Sequence, residues 1–346
     1  MTTFEVELEQ EKTEKIAQVA ARGAKIAAEL GQDPDDVQIF LNHYFRHVDP
    51  VDVDERGVED LLGLVESHYR AAMHRPAARA VITIRTPSQN DDGWTAGGAT
   101  VVQIVTDDRP FLVDSVTMEV LRQGWSIREV FHPQFLVRRD VQGNLHGVVG
   151  VSEADRDPSV IPESWMHLEI LPPSRPDRRD SLISDLEQGL LEVLRLVEDA
   201  VQDWQKMITR SEDTIEILKD ATFIAGHAEQ AALACELLSW LNANHFTFLG
   251  YREYEVLSDQ SGIQFKVRPG TGLGILRADQ DPPGTFHANP LPNVKPELMI
   301  ITKDNQRSRV HRPVYLDYIA FRIFDSEQRV IGERRFLGLF SSSAYS

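Results

Sequence analysis

The sequence predicts an α+β fold in three stretches: helices first, then an α+β sandwich, then a second, mostly antiparallel sheet domain. Three observations carry this. Apolar residues recur at helical spacing as far as about residue 76. From there short apolar strands alternate with helices. Beyond about residue 221 one helix leads a series of strand-like runs. The boundaries this suggests are 1–76, 77–220 and 221–346.

The helical stretch opens with "EKTEKIAQVAARGAKIAAEL", whose Ile16, Val19, Ala20, Ile26 and Leu30 share a face. "DPDDVQIFLNHYFRHV" begins with acids and Pro34, which suit a helix N-terminus. Val37, Phe40, Leu41, Tyr44 and Phe45 form its apolar side. "VEDLLGLVESHYRAAMHR" makes a third helix.

In the second stretch "RAVITIRT" reads as a strand, "SQNDDGWTAGG" as a loop and "ATVVQIVT" as a strongly apolar strand. A helix follows, then the alternating "SIREVFHPQFLVRRD", a turn at "VQGN", a return strand "LHGVVGV" and the strand "SWMHLEIL". A long helical region runs from "PPSRPDRRD" to "MITR". The order β-α-β-β-β-α with short links predicts an antiparallel or mixed sheet with helices on one face, ferredoxin-like in character. In the third stretch the helix "HAEQAALACELLSWLNAN" precedes five strands: "HFTFLGYREYEVL", "IQFKVRP", "ELMIITK", "YLDYIAFRIFD" and "VIGERRFLGLF".

Composition excludes several roles. The 346 residues carry 54 acids and 36 bases, a formal charge of −18. Nucleic acid and anionic membranes need a concentrated basic face, so neither is the expected partner. No apolar run approaches the ~20 residues that span a bilayer. The acidic start "MTTFEVELEQEKTEK" lacks the order of a signal peptide. The single cysteine, Cys235, forms no intrachain disulfide and sits in an apolar helical pattern, which suggests a buried structural thiol. A cytoplasmic protein is the reading.

The candidate ligand site is "TDDRPFLVDSV". A strand ends in Asp107 and Asp108, Arg109 and Pro110 follow, and a helix begins. One reading is structural: an acid caps the first amides, Pro is tolerated there, and Leu112, Val116 and Val120 face the core. The other is functional: the amides of the turn hold a carboxylate, while Asp107 or Asp108 takes the ammonium of the same ligand. Both readings stay open on the sequence.

This junction resembles the opening of an ACT domain, with its Asp-Arg-Pro-Gly-Leu turn. A wider set, "DDRPFLVDSV", "HPQFLVRRD", "WMHLEI", "FTFLGYREYEV", "GTGLGILR", "VHRPVYLDYI" and "RRFLGLFSSSAYS", resembles the N-terminal region of the large bacterial NAD-specific glutamate dehydrogenases. The resemblance implies an ACT-like second stretch and a PAS-like third one, with a catalytic domain downstream and NAD as cofactor of the intact protein. It also implies a homo-oligomer, such as a tetramer. The junction then becomes an effector site at Asp107, Asp108, Arg109 and Phe111. Phe111 stands where many ACT junctions have Gly, and its ring obstructs a close ligand approach.

The chain itself shows no dehydrogenase chemistry. "RPGTGLGIL" supplies Gly270, Gly272 and Gly274 but no helix behind them, so a turn in the sheet is expected rather than a phosphate cradle. No lysine lies in the glycine-rich setting that such an active site needs. This chain is expected to be inactive alone and to bind no cofactor or metal. Its abrupt end after a strand suggests a piece of something longer. His43 and His47, four apart, lack the further ligands of a zinc site. "RVHRPVYLDYI" groups Arg309, His311 and Arg312 as an anion or domain contact, or as a solvated sheet end. The alternative to the dehydrogenase reading is a stand-alone ACT-like amino-acid sensor.

Overall fold

The first helices begin where acid and proline meet. In the computed structural model, Asp33 accepts a hydrogen bond from the Asp35 amide ahead of α3 (Pro34–Tyr44), and Asp49 does the same for Val51 ahead of α4 (Pro50–Asp54). The structure describes residues 3–149, 159–174, 179–220, 227–259, 262–277, 286–288 and 297–342. They fall into two units, Met1–Leu194 and Arg195–Ser346. The first expected helix is split into α1 (Thr3–Ala20) and α2 (Gly23–Leu30), and α2 stops at Gly31, whose φ is +65°. With α4 and α5 (Val58–Ala72), five helices precede the first strand instead of three.

The sheet of the first unit contains β1 (Val81–Arg85), β2 (Thr100–Asp107), β3 (Ser126–Phe131), β4 (Gln134–Arg139), β5 (Leu145–Val149) and β6 (Val160–Leu171). The order is β1-β2-β6-β4-β5, with β3 also on β6, and all pairs are antiparallel. β3 and β4 were one run in the sequence. They pair with β6 end to end, Phe131 opposite His167 and Gln134 opposite Ser164. His132 and Pro133 interrupt them because proline has no N–H to give; the Pro133 carbonyl still accepts from the Trp165 amide at 3.0 Å. α6 (Gln89–Asp92) lies in the stretch read as loop, and α7 (Leu112–Arg122) joins β2 to β3.

Helices cover both faces of this sheet, not one. Odd positions of β6 face the N-terminal helices: Trp165 lies 5.4 Å from Phe40 and 5.9 Å from Tyr69, ring centre to ring centre. A single cluster joins Val19, Phe40, Phe45, Leu64 and Tyr69 to Val101, Val105, Phe135 and Trp165. Residues of the other face, Val102, Ile104, Met166, Leu168 and Ile170, are as deeply buried. So are Leu112, Val116 and Val120 of α7, and Leu186 and Leu190 early in α8 (Arg179–Lys219). α7 and α8 approach closely at Gly189, where a Cβ would come 2.2 Å from the Glu119 carboxylate.

In the second unit α9 (Ala228–Trp240) leads through a π turn into β7 (Phe246–Asp259). The sheet adds β8 (Gly262–Val267), β9 (Leu273–Gly274), β10 (Phe286–Ala288), β11 (Met299–Arg307), β12 (Tyr315–Phe324) and β13 (Val330–Phe340). Its order is β10-β8-β7-β13-β12-β11, antiparallel throughout, with β9 also on β7. All five expected strands are present. Phe248, Tyr251, Ile319, Phe321 and Phe336 pack with Met207 of α8 and Leu238 of α9. Cys235 is half-buried rather than buried, its Sγ 3.8 Å from the Ile215 carbonyl. The link "SDQSG" between β7 and β8 lies partly outside the described residues. Among the described residues, no helix is long and apolar enough to cross a membrane.

Candidate functional site

β2 delivers the two junction acids to opposite faces of the sheet, because side chains alternate along a strand. Asp107 sits opposite Glu163 of β6. On that face Arg75 Nη2 donates to Asp107 Oδ1 at 2.6 Å, and Arg75 Nε to Glu163 Oε1 at 2.7 Å. Arg139 forks onto both Glu163 oxygens at 2.6 and 2.9 Å, and the Trp165 indole donates to Oε2 at 2.9 Å. Arg109 reaches Asp107 Oδ2 at 3.3 Å. Arg75 is 2% exposed and Glu163 is fully buried. Buried carboxylates of this kind persist only where they are paired and hydrogen-bonded.

Asp108 turns the other way. Its amide continues the ladder to the Pro162 carbonyl at 3.0 Å, and both carboxylate oxygens accept from Gln134 Nε2 at 2.9 Å. Nearby, His132 Nε2 hydrogen-bonds Ser164 Oγ. Burial lowers the His132 pKa, and Asp108 pulls in the opposite direction. Serine, histidine and aspartate thus lie close together, but Ser164 is fully buried, so its hydroxyl is closed to a substrate.

Neither acid caps α7, contrary to the structural reading of the sequence. The ladder runs on through Asp108, and the chain then turns over Arg109–Phe111. The residue ahead of α7 is Phe111, at φ +72° with no side-chain cap. Its carbonyl accepts from the Ser115 amide at 3.0 Å and the Ser115 hydroxyl at 2.6 Å. Positive φ is where glycine fits without strain, so a bulky residue here holds an uncommon backbone state. Phe111 is half-buried.

Arg309, His311 and Arg312 lie in the other unit, in the turn between β11 and β12. Ser308 closes that turn onto the Val314 carbonyl at 2.8 Å, and His311 has φ +73°. Arg312 Nη2 donates to the Phe340 carbonyl at 2.7 Å, fastening the turn to the end of β13. His43 Nδ1 lies 2.8 Å from the Ile39 carbonyl of its own helix.

The glycine-rich loop packs against protein. Gly274 pairs with Gly250 of β7, and a Cβ on it would meet the Leu249 carbonyl oxygen at 2.1 Å. Asp203 accepts from the Gly274 amide at 3.0 Å and from Arg277 Nε at 2.8 Å, and Asp199 takes Arg277 Nη1 at 2.6 Å. The Gly274 amide is therefore bonded to a carboxylate, the wrong charge for a phosphate site.

The sequence reading missed Arg75, Arg139, Gln134 and Glu163. It also missed a second buried group on the same face of β6. Glu169, fully buried, is held by Arg56 at 2.5 and 3.0 Å and by Arg128. His68 hydrogen-bonds Tyr44 at 2.6 Å. The available signal was the alternation Glu163, Trp165, His167, Glu169, which puts charge on the face that carries the indole.

Residues 40–186 match the family described as glutamate dehydrogenase, ACT1 domain. The NAD-specific glutamate dehydrogenase of Halomonas elongata is 31% identical over 90% of this chain and 19% of its own length. That of Pseudomonas aeruginosa is 32% identical over the same shares, and that of Mycobacterium tuberculosis 27% over 81% of this chain and 16% of its own. The chain thus spans about a fifth of the curated relatives it matches. Residues 40–186 are thus similar to a glutamate dehydrogenase ACT1 domain, and the chain as a whole resembles the N-terminal region of the large NAD-specific glutamate dehydrogenases.

Proposed function

We propose that this chain is the regulatory and oligomerisation portion of an NAD-dependent glutamate dehydrogenase, which converts L-glutamate, NAD and water to 2-oxoglutarate, ammonia and NADH. The observation that carries the reading is the similarity of nine-tenths of the chain to about a fifth of much longer enzymes of that name. The catalytic domain and the NAD site then lie further along the same polypeptide, and a cytoplasmic homo-oligomer, such as a tetramer, is the working form. The glycine-rich loop supports placing nucleotide chemistry elsewhere, since Asp203 occupies its Gly274 amide.

The first unit acts in this reading as one ACT-like body that includes residues 1–76, because the aromatic cluster runs from α3 and α5 into β4 and β6. The second unit is PAS-like in the same reading. An amino-acid effector at the junction has Asp108 for its ammonium, a half-buried carboxylate whose hydrogen bonds come from the neutral Gln134 amide. Arg309, His311 and Arg312 serve as a contact for another domain.

The test is to assay the purified 346-residue chain with glutamate and NAD. No NADH is expected. Turnover by this chain alone would overturn the proposal.

A further inference from the structure

We infer that the edge of the second sheet at β11 takes up an extended segment of a partner protein as an additional antiparallel strand. That segment is acidic at its N-terminal end. The inference extends the contact assigned to Arg309, His311 and Arg312 into the strand before them, and does not depend on the dehydrogenase reading.

Among the described residues β11 pairs with β12 and with no other strand. The ladder fixes which backbone groups its other side carries. The Arg322 amide donates to the Leu298 carbonyl at 2.8 Å, in register with Met299 opposite Phe321. In an antiparallel pair, successive residues direct their N–H and C=O alternately toward and away from the neighbour. Ile300 and Thr302 therefore serve β12, while Met299, Ile301 and Lys303 turn their amides and carbonyls away from it. Such a row is a template for another strand: main-chain hydrogen bonds supply affinity, and alternate side chains supply specificity. The register with β12 shifts between Lys303 and Arg307, so the regular edge ends at Lys303.

The side chains define the guest. Ile301 is 50% exposed and lies opposite Ile319, on the face that packs with α8 and α9. An apolar residue is favoured beside it. Lys303, 57% exposed, follows on the same face. Beyond it the chain turns basic. From Lys303 to Arg312 there are four bases, Lys303, Arg307, Arg309 and Arg312, and one acid, Asp304, in a chain whose 54 acids outnumber its 36 bases. Asp317 pairs with Lys303 at 2.6 Å, yet the four bases still outnumber these two acids. Arg307 lies 5.2 Å from the centre of the Tyr315 ring, and Arg312 holds the Phe340 carbonyl, so both stay near the strand end. A strand running antiparallel to β11 meets Lys303 first and Ile301 and Met299 afterwards. Its acids therefore precede its apolar residues.

The experiment measures fluorescence anisotropy of a labelled probe, three aspartates followed by alternating valine and threonine, against the 346-residue chain. Saturable binding is expected, weakening as salt rises. Two further probes carry N-methyl groups on alternate backbone amides. One is expected to bind at least about tenfold more weakly than the parent and the other about equally, because only one set of amides meets β11. Ile301→Pro removes an outward amide and spares the β12 ladder; it is expected to weaken binding at least about tenfold. Lys303→Glu is expected to weaken it about tenfold, and its exposed position keeps the test free of any folding fault in the proline variant. Absence of saturable binding overturns the inference, as does equal binding of the two N-methylated probes. A probe with lysines in place of the aspartates that binds as well as the parent also overturns it. So does self-association of the chain that Ile301→Pro abolishes, which makes the guest a second copy.

Discussion

Glu163 and Glu169 show how much of this protein's first unit depends on single buried charges. Each carboxylate is fully buried and held by two arginines, Arg75 and Arg139 for Glu163, Arg56 and Arg128 for Glu169. Glu163→Ala leaves two guanidiniums facing a void, and is expected to lower stability by about 3–5 kcal/mol, read from the urea midpoint. His68 sets a pH dependence. Burial, then the nearby His167, lower its pKa to about 3. The folded state therefore binds fewer protons than the unfolded chain below pH ~6.5. Stability is full above that pH and declines as pH falls toward 3, by up to ~1.4 kcal/mol per unit for this one group. Urea midpoints at pH 7.5, 6.5 and 5.5 should fall in that order, with a shallower fall in His68→Gln. An unchanged slope in the variant would refute this role. At Glu169 burial raises the pKa, but His167 and Arg56 outweigh it and hold it well below the usual carboxylate range. Its contribution is lost only at lower pH still. These residues were hard to find in the sequence because charge on an alternating strand ordinarily marks a solvated face; nothing local says that five helices will cover it.

At the scale of elements, periodicity made most strands and helices legible, and chemistry at the ends did not. The strands of the second sheet follow from alternation and turn residues such as Asp325, whose amide meets the Arg329 carbonyl at 2.9 Å. The start of α7 did not follow. "DDRP" reads as a capped helix N-terminus, yet the β2 ladder carries Asp108 past the strand end and leaves Phe111 in the left-handed region. That competition between ladder and helix is decided by β6, far along the chain. The glycine loop was legible as a turn, but its clamp on α8 was not. Asp203→Ala is expected to cost about 3 kcal/mol by stranding the Gly274 amide and half of Arg277. Gly274→Ala is expected to cost about 2 kcal/mol or more, from positive φ and the approach to Leu249. Hydrogen exchange at Gly250 and Tyr251, the β9 partners, should quicken in both; unchanged protection would contradict the clamp.

At the scale of the whole molecule, the N-terminal helices form one wall of the first core. Phe40 touches Tyr44, Tyr69, Phe135 and Trp165 with ring centres between 4.9 and 5.4 Å. A chain that begins at residue 77 should therefore aggregate or lack near-ultraviolet dichroism, whereas a cooperative melt would contradict the shared core. The dehydrogenase reading rests on sequence similarity rather than on the fold, since a fold of this kind serves many functions. Its most direct test is the mass of the native protein detected in source cells by an antibody raised to this chain. The account predicts a polypeptide several times the 39.1 kDa of these 346 residues. A native species of about 39.1 kDa would contradict it and leave the stand-alone sensor in its place.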